Sequence, residues 1–554
     1  MRSRALLGFA VVLCALVGAS ATSTAAARLS EPGAQARTNE TSAPKTARLD
    51  NSQAATSRGN NSRDGWYPDE PGLNPKVVGS PNFGQVFATQ LNGQIYAQPL
   101  VVGHVLFVAT ETDWIYGLNP GTGALEWSRK IGTAFRDASL NCADLTPSLG
   151  VTSTPTVDPS TGIVYLVDQA YVSGRLGWFM HAINPATGAE MPHFPVAIKG
   201  PPVNSPKQPF SPTKEMQRPG LLFLGGVIYA AFGSHCDFAP YFGIVVGVNT
   251  RGKQTTMWSV EGSQGGAGGG IWQAGGGLVS DGPNQILVSS SNGYGGGTPD
   301  PVGHIPASSP PANLADSVIR LDVQPNGSLK ATNFFSPRDD ATIDHHDWDL
   351  AGSPVALPAQ FSTPKYPHLV VATGKEGIVY LLDRDSLGGV GEGSGGKDLA
   401  LGEYGPNGEA ISTAGTWPGN GGYVYVATLA DAAGGAGAID VYKFTSSNGR
   451  PGLDLVGTSS QPALFGVSGP LITSDGTTSG SAVVWVVNAG HLQAYDPVPV
   501  NKKLTLIGNW FVGDTDAFTP PGIGNNTLYV ADQAGMVYGF ALKSSSKATR
   551  TDRP

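Results

Sequence analysis

Residues 344 to 349 read Asp-His-His-Asp-Trp-Asp, which places two imidazoles and three carboxylates within six positions. Imidazole titrates near neutrality and a neighbouring carboxylate can orient it, so His345, His346, Asp347 and Asp349 are candidates for proton transfer or for gripping a polar ligand. A metal would need three or more ligands at fixed geometry, and adjacent histidines point apart, so no metal site is assigned. Two further polar groups, His235-Cys236-Asp237 and Lys375-Glu376, sit in similar Gly-rich surroundings. All three segments read equally as polar loops whose side chains cap turns.

Such loops need a frame. Prolines that precede short apolar strands, namely Pro99, Pro155, Pro219, Pro354, Pro418, Pro470 and Pro520, follow one another at 56, 64, 135, 64, 52 and 50 residues. The interval of 135 holds one more unit, beginning at Trp272, with glycine in place of the proline. Each of the eight units contains a strand, a second such as VLFVAT or IVYLVD, a third such as IYGLNP, and an outer strand that can carry a tryptophan, as at Trp127, Trp258 and Trp510. Four short antiparallel strands cannot bury both faces alone, so neighbouring sheets must stack, and radial stacking makes a propeller. The expected fold is therefore all-β: an eight-bladed β-propeller of four-stranded antiparallel blades over residues 63–543. The last unit runs out after three strands near Leu542, and the strand FGQVFATQL at 83–91 stands unassigned before the first. It is expected to complete the last blade, so that the N-terminal strand closes the ring and leaves no open edge.

Blade topology sorts the loops into two faces. The loops that lead into innermost strands, or join second to third strands, are long (132–152, 199–216, 233–243, 291–316, 336–349 and 384–416), whereas PSTG at 159 represents the tight turns of the other face. Long loops on a rigid ring usually carry function. Strand starts on this face supply Gln98, Thr154, Arg218, Gln273, Ser353 and Trp417, which are expected to ring the channel mouth. Trp272 and Trp417 would stack on a sugar or aromatic ligand, or else fill the hole. Cys142 and Cys236 lie on the same face, as a disulfide stapling the rim or as two buried thiols. The glycine runs near 262–270 and 291–297 lack the lysine and helix of a phosphate cradle and are expected to allow close backbone approach.

The N-terminus has Arg2 and Arg4, an apolar stretch and small residues up to Ala21, the pattern of a cleaved signal peptide (1–21). Residues 22–62 lack apolar periodicity and are expected to be a disordered leader, with 544–554 a disordered tail. A formal charge of −8, from 34 Lys and Arg against 42 Asp and Glu, offers no basic stripe, so nucleic acid is an improbable partner. The mature chain has no segment suited to span a membrane.

The segments YGLNPGTGALEW and YLLDRDSLGG resemble the repeat of the quinoprotein alcohol dehydrogenase-like propellers. GVTSTPTVDPSTGIVYLVDQA, GGIWQAGGG and ATGKEGIVYLLDRDSLGG resemble a secreted bacterial branch of that group, and the likeness spans roughly residues 63–542. The resemblance implies the propeller fold but not one function, because its members include pyrroloquinoline quinone enzymes holding calcium as well as non-redox binding and scaffold proteins. Redox members typically carry two adjacent cysteines or a Cys-x-x-Cys-His haem motif, and this chain has neither. The expectation is a secreted, monomeric binding propeller without a cofactor, whose long-loop face takes a glycan, a small molecule, a peptide or an extracellular protein. One alternative is an alcohol or sugar oxidoreductase using pyrroloquinoline quinone and calcium. Another is a carbohydrate lyase or hydrolase using His235, His345, Asp347 and Asp349, with Arg218 neutralising an acidic sugar.

Overall fold

The computed structural model describes residues 56–543 apart from 137–144, 263–265, 274, 294–302, 351, 431–435 and 516–517. Within this span eight antiparallel sheets are arranged as blades, each with its innermost strand first in sequence. The innermost strands are Leu100–Val102, Thr156–Val157, Leu222–Leu224, Val279–Gly282, Val355–Ala356, Gly415–Trp417, Leu471–Thr473 and Gly522–Gly524, for blades 1 to 8 in that order. The second strands, such as Val105–Ala109, Leu369–Thr373, Tyr423–Thr428 and Val483–Asn488, are buried at every residue. They are apolar without alternation because a blade is covered on both faces by its neighbours. The outer strand Leu125–Lys130, by contrast, alternates exposed and half-exposed positions over its last four residues.

The packing energy sits in the seams. Eight hydrophobic clusters each straddle two adjacent blades, for instance Trp178 and Phe232 between blades 2 and 3, and Leu106 and Tyr529 between blades 1 and 8. The ring closes as the sequence predicts: Phe83–Gln90 pairs antiparallel with Met536–Leu542, from Phe83 opposite Leu542 to Gln90 opposite Met536. Phe87 anchors this outer strand against Tyr529, with ring centroids 6.3 Å apart.

The expected leader requires a correction. Thr56 to Ser62 are ordered, and with the residues that follow they thread the axis of the propeller. Thr56 Oγ1 donates to Leu221 O (3.0 Å) and Asn61 Nδ2 to Phe223 O (3.1 Å). Ser280 N, Ala356 N, Thr416 N and Ile472 N donate in turn to the carbonyls of Asn61, Ser62, Asp64 and Gly65. Trp66–Tyr67 then runs parallel to Leu471–Thr473 as a fifth strand on blade 7. Because partners shift from strand starts to strand ends, the chain enters at the long-loop face and descends to the tight-turn face. An eight-bladed ring leaves inward-facing backbone groups that need partners, and this polar segment supplies them. Residues 1–55, with the expected signal peptide, and the tail 544–554 fall outside the described residues.

Two arginines hold the segment in place, and both are fully buried. Arg58 donates to Ala414 O (2.6 Å), Pro470 O (2.8 Å) and Arg63 O (3.0 Å). Arg63 donates to Leu221 O (2.7 Å), Leu278 O (2.9 Å), Ser57 O (2.8 Å) and Thr56 Oγ1 (2.9 Å). The carbonyls of Leu221, Leu278, Ala414 and Pro470 each stand just before an innermost strand, so the guanidinium groups tie blades 3, 4, 6 and 7 together. Close approach needs glycine here: a Cβ on Gly469 would lie 2.4 Å from Arg58 Nη1, and one on Gly220 2.6 Å from Ser57 Cβ.

Candidate functional site

At the long-loop mouth the strand starts are bonded to one another around the axis. Gln98 N donates to Thr154 Oγ1 (3.0 Å), Gly277 N to Ser353 Oγ (2.7 Å) and Ser353 N to Thr413 Oγ1 (3.2 Å). Gln98 is fully engaged: its Oε1 accepts from Arg58 N (2.9 Å), and its Nε2 donates to Tyr67 Oη and Pro521 O (both 3.1 Å). Gln98, Thr154 and Ser353 therefore serve the axis and its plug. Gln273 is buried at φ +43°, with neither side-chain polar atom hydrogen-bonded. Arg218 is half-buried over the Phe518 ring, 5.8 Å from its centroid. It lines a recess with Tyr96, Thr152, Thr154, Thr519 and Pro520, and the space inside is about 20 Å³.

Trp417 does not reach the mouth. Pro418 follows the innermost strand Gly415–Trp417 instead of preceding it, so Trp417 lies at the far end of the strand, wholly buried in the seam between blades 6 and 7. Its Nε1 donates to Gly476 O (3.3 Å) and its ring stacks on Tyr423. Trp272 does stand at the mouth, half-buried, with Nε1 donating to Ser291 Oγ (3.1 Å).

Of the loop candidates, three converge. Lys375 Nζ lies 3.1 Å from Asp347 Oδ1 and 3.3 Å from Asp349 Oδ1, and Asn292 Nδ2 donates to Asp347 at 2.9 Å. Burial pushes the Asp349 carboxyl up to about 7 against the pull of Lys375, with Asp347 and Asp237 adding to the rise. Lys375 is raised, because the attraction of Asp349 and Asp347 outweighs the lowering by burial. Asp347 takes a left-handed φ of +56° as it caps the helix Asp340–His346. His345 and His346 end that helix and are exposed; the His346 ring stacks 4.4 Å from Trp348, and its Nδ1 contacts Thr342 O. His235 is unsuited to acid-base work: it is buried beside the Phe135 and Trp178 rings, and burial lowers it to about 4. Cys236 is disulfide-bonded, while Cys142 lies outside the described residues.

Sequence reasoning missed two groups. Arg58 and Arg63 lay within or beside a segment with no periodic pattern to mark them. The second group fills the seam between blades 1 and 2: Glu111, Asp113, Asp168, His181 and Glu190. Its only signal was a charge inside apolar strands, as in VYLVDQA and WFMHAI. His181 Nε2 lies 3.1 Å from Asp168 Oδ1 and its Nδ1 2.8 Å from Glu190 Oε2. Burial alone would lower this imidazole, but Asp168 and then Glu190 hold it up at about 10.

Pyrroloquinoline quinone and calcium, which the resemblance implies for redox members, do not fit this mouth as it stands. Among the described residues the recess admits little more than a water, about 20 Å³. Below it the axis is filled by Thr56 to Tyr67. Among the described residues no three His, Cys, Asp or Glu side chains gather where a metal could be held.

No protein-family model and no curated protein matches the chain. Solved structures do. The quinohemoprotein alcohol dehydrogenase from Comamonas testosteroni is 16% identical with a TM-score of 0.59, over 92% of this chain and 83% of its own. A quinohemoprotein alcohol dehydrogenase from Pseudomonas putida HK5 is 13% identical with a TM-score of 0.56, over 90% and 82%. A europium-containing methanol dehydrogenase is 14% identical with a TM-score of 0.57, over 88% and 98%. At this identity the likeness shows the fold.

Proposed function

From a propeller of the quinoprotein alcohol dehydrogenase fold whose axis is filled by its own chain, we propose a secreted binding protein without redox chemistry, whose long-loop face holds a glycan. Small ligands, peptides or an extracellular protein are the other occupants this face would suit. The observation that supports the reading is the axial segment, which fills the axis with the chain's own backbone and leaves the rim for recognition. On that rim the half-buried rings of Trp272 and Trp348 share a face with the Asp347–Lys375–Asp349 group and Arg218. Aromatic faces beside fixed polar groups suit the apolar and hydroxylated faces of a sugar ring. The disulfide at Cys236 supports export to an oxidising compartment. Among the described residues no helix is long and apolar enough to cross a membrane.

The test is a glycan array followed by thermal shift with any hit. Binding should raise the melting temperature, and Trp272→Ala should weaken binding at least tenfold while the ring stays folded. Absence of any shift across neutral, acidic and amino sugars would reject the glycan reading. A quinone spectrum with dye reduction, on adding pyrroloquinoline quinone and calcium, would replace it with the oxidoreductase.

A further inference from the structure

The carboxylate-rich seam between blades 1 and 2 is set apart from the proposed ligand face by the burial of Glu111, Asp113, Asp168 and His181, yet it reaches the mouth. Glu111 Oε2 accepts from Gly150 N (2.8 Å) and from Oγ1 of Thr152 (3.1 Å), and Thr152 lines the recess. Asp113 lies behind it, fully buried, and neither of its oxygens has a hydrogen-bond partner. Oδ2 of Asp168 is similarly orphaned. The two carboxyls close on one glycine: a Cβ on Gly132 would stand 2.7 Å from Asp113 Oδ2 and 2.8 Å from Asp168 Oδ2. The other Asp113 oxygen is closed off by Gly150, whose Cβ would stand 2.4 Å from it.

Charge balance is the difficulty. Asp113 has Asp168 and Glu111 for neighbours, Glu190 joins from the far side of His181, and among the described residues of this seam His181 is the one buried cation, while Lys130 is exposed. A buried carboxylate without a donor is costly, and it is relieved by a counter-ion or by a proton. Gly132 and Gly150 pack directly against the two Asp113 oxygens, and no metal-ligating group of three forms among the described residues.

The geometry points to Asp113 being kept as a neutral carboxylic acid beside Asp168 and Gly132, so that the blade 1–blade 2 seam is a latch that loosens as the proton leaves. Burial first, and Asp168 second, push the Asp113 carboxyl up to about 9. The sign follows: the folded protein keeps a proton that the unfolded chain gives up near pH 4, so stability falls as pH rises from there towards about 9. His181 acts in the same sense, because its contribution is complete below about pH 6.5 and is lost as pH passes about 10. Since the two aspartates interact, they titrate as a pair.

Infrared spectra and thermal melts of wild type, Asp113→Asn and Asp168→Asn across pH 6 to 9.5 test this. Asparagine is isosteric, uncharged and tolerant of the left-handed φ of +59° at this position. The carbonyl stretch of protonated carboxylic acids should be present in wild type at pH 8 and be weaker in Asp113→Asn, because Glu261, raised to about 8, still contributes to it. That variant should melt no lower than wild type at pH 8 and lose less stability towards pH 9.5. Asp168→Asn, which takes an acceptor from His181, should melt lower throughout. An unchanged carbonyl band in Asp113→Asn overturns the assignment, as does a variant that fails to fold or melts as low as Asp168→Asn.

Discussion

Replacing Arg63 by methionine tests whether the axial segment holds the ring or merely fills it. Methionine keeps most of the aliphatic volume and removes every donor. The carbonyls of Leu221, Leu278 and Ser57 then lose a charged partner in a place water does not reach. Leu221 O keeps the bond from Thr56 Oγ1, so two acceptors are orphaned, and at about 1–3 kcal/mol each that makes roughly 2–6 kcal/mol. Against this stands the relief of no longer burying a guanidinium. Burial, with Arg58 nearby, holds the Arg63 pKa down at about 9, and desolvating such an ion costs several kcal/mol. That relief trims the upper end, and the net loss should be about 2–4 kcal/mol, at the high side of what single substitutions cost. A domain of this length has an unfolding entropy of about 1 kcal/mol/K, so the melting temperature should fall by about 2–4 °C. Differential scanning calorimetry measures it, with Arg450→Met as control, because Arg450 is exposed while donating to the carbonyls of Ala400 and Leu401. If Arg63→Met melts within 1 °C of wild type, or no lower than Arg450→Met, the segment is a passive filler and the axial account is wrong.

Phe87→Ala should cost about 3–5 kcal/mol and raise protease sensitivity at both ends of the ring, because Phe87 anchors the closing strand on Tyr529; limited proteolysis with N-terminal sequencing reads this. Gly132→Ala should lower stability by about 1–3 kcal/mol or more, since the new methyl would press on Asp113 and Asp168, and a denaturation midpoint equal to wild type would contradict the packing of that seam. Lys375→Met should destabilise more at pH 8 than at pH 5. Asp349 has a folded pKa raised to about 7, so its penalty grows as pH rises through that value, and removing the ammonium enlarges it. The double variant with Asp349→Asn should recover most of the loss in melts at the two pH values.

Much of this molecule was written locally. Runs such as VLFVA, LVVAT and VVWVVN, interrupted by Pro and Gly turns at a regular interval, determined the blades, because a strand covered on both sides must be apolar throughout. The shortfall after Leu542 and the spare strand at Phe83 determined the closure, since an open sheet edge is a liability that a ring removes. The same pattern misled at Trp417, where a proline that ends a strand was read as one that begins it. The loop acids Asp347 and Asp349 and the ammonium of Lys375 were visible as residue types, but only folding brought them together.

What tertiary structure alone decided is the axis. Thr56 to Gly65 has no apolar period, and its ordering comes from backbone carbonyls as distant in the chain as Ala414 and Pro470, 356 and 412 residues from Arg58. The buried seam of Asp113, Asp168 and His181 was decided in the same way, by two neighbouring blades pressing ionisable side chains together where solvent cannot screen them. Local pattern reports how a strand is covered, whereas partners for an isolated polar group are set by which remote backbone the closed ring places beside it.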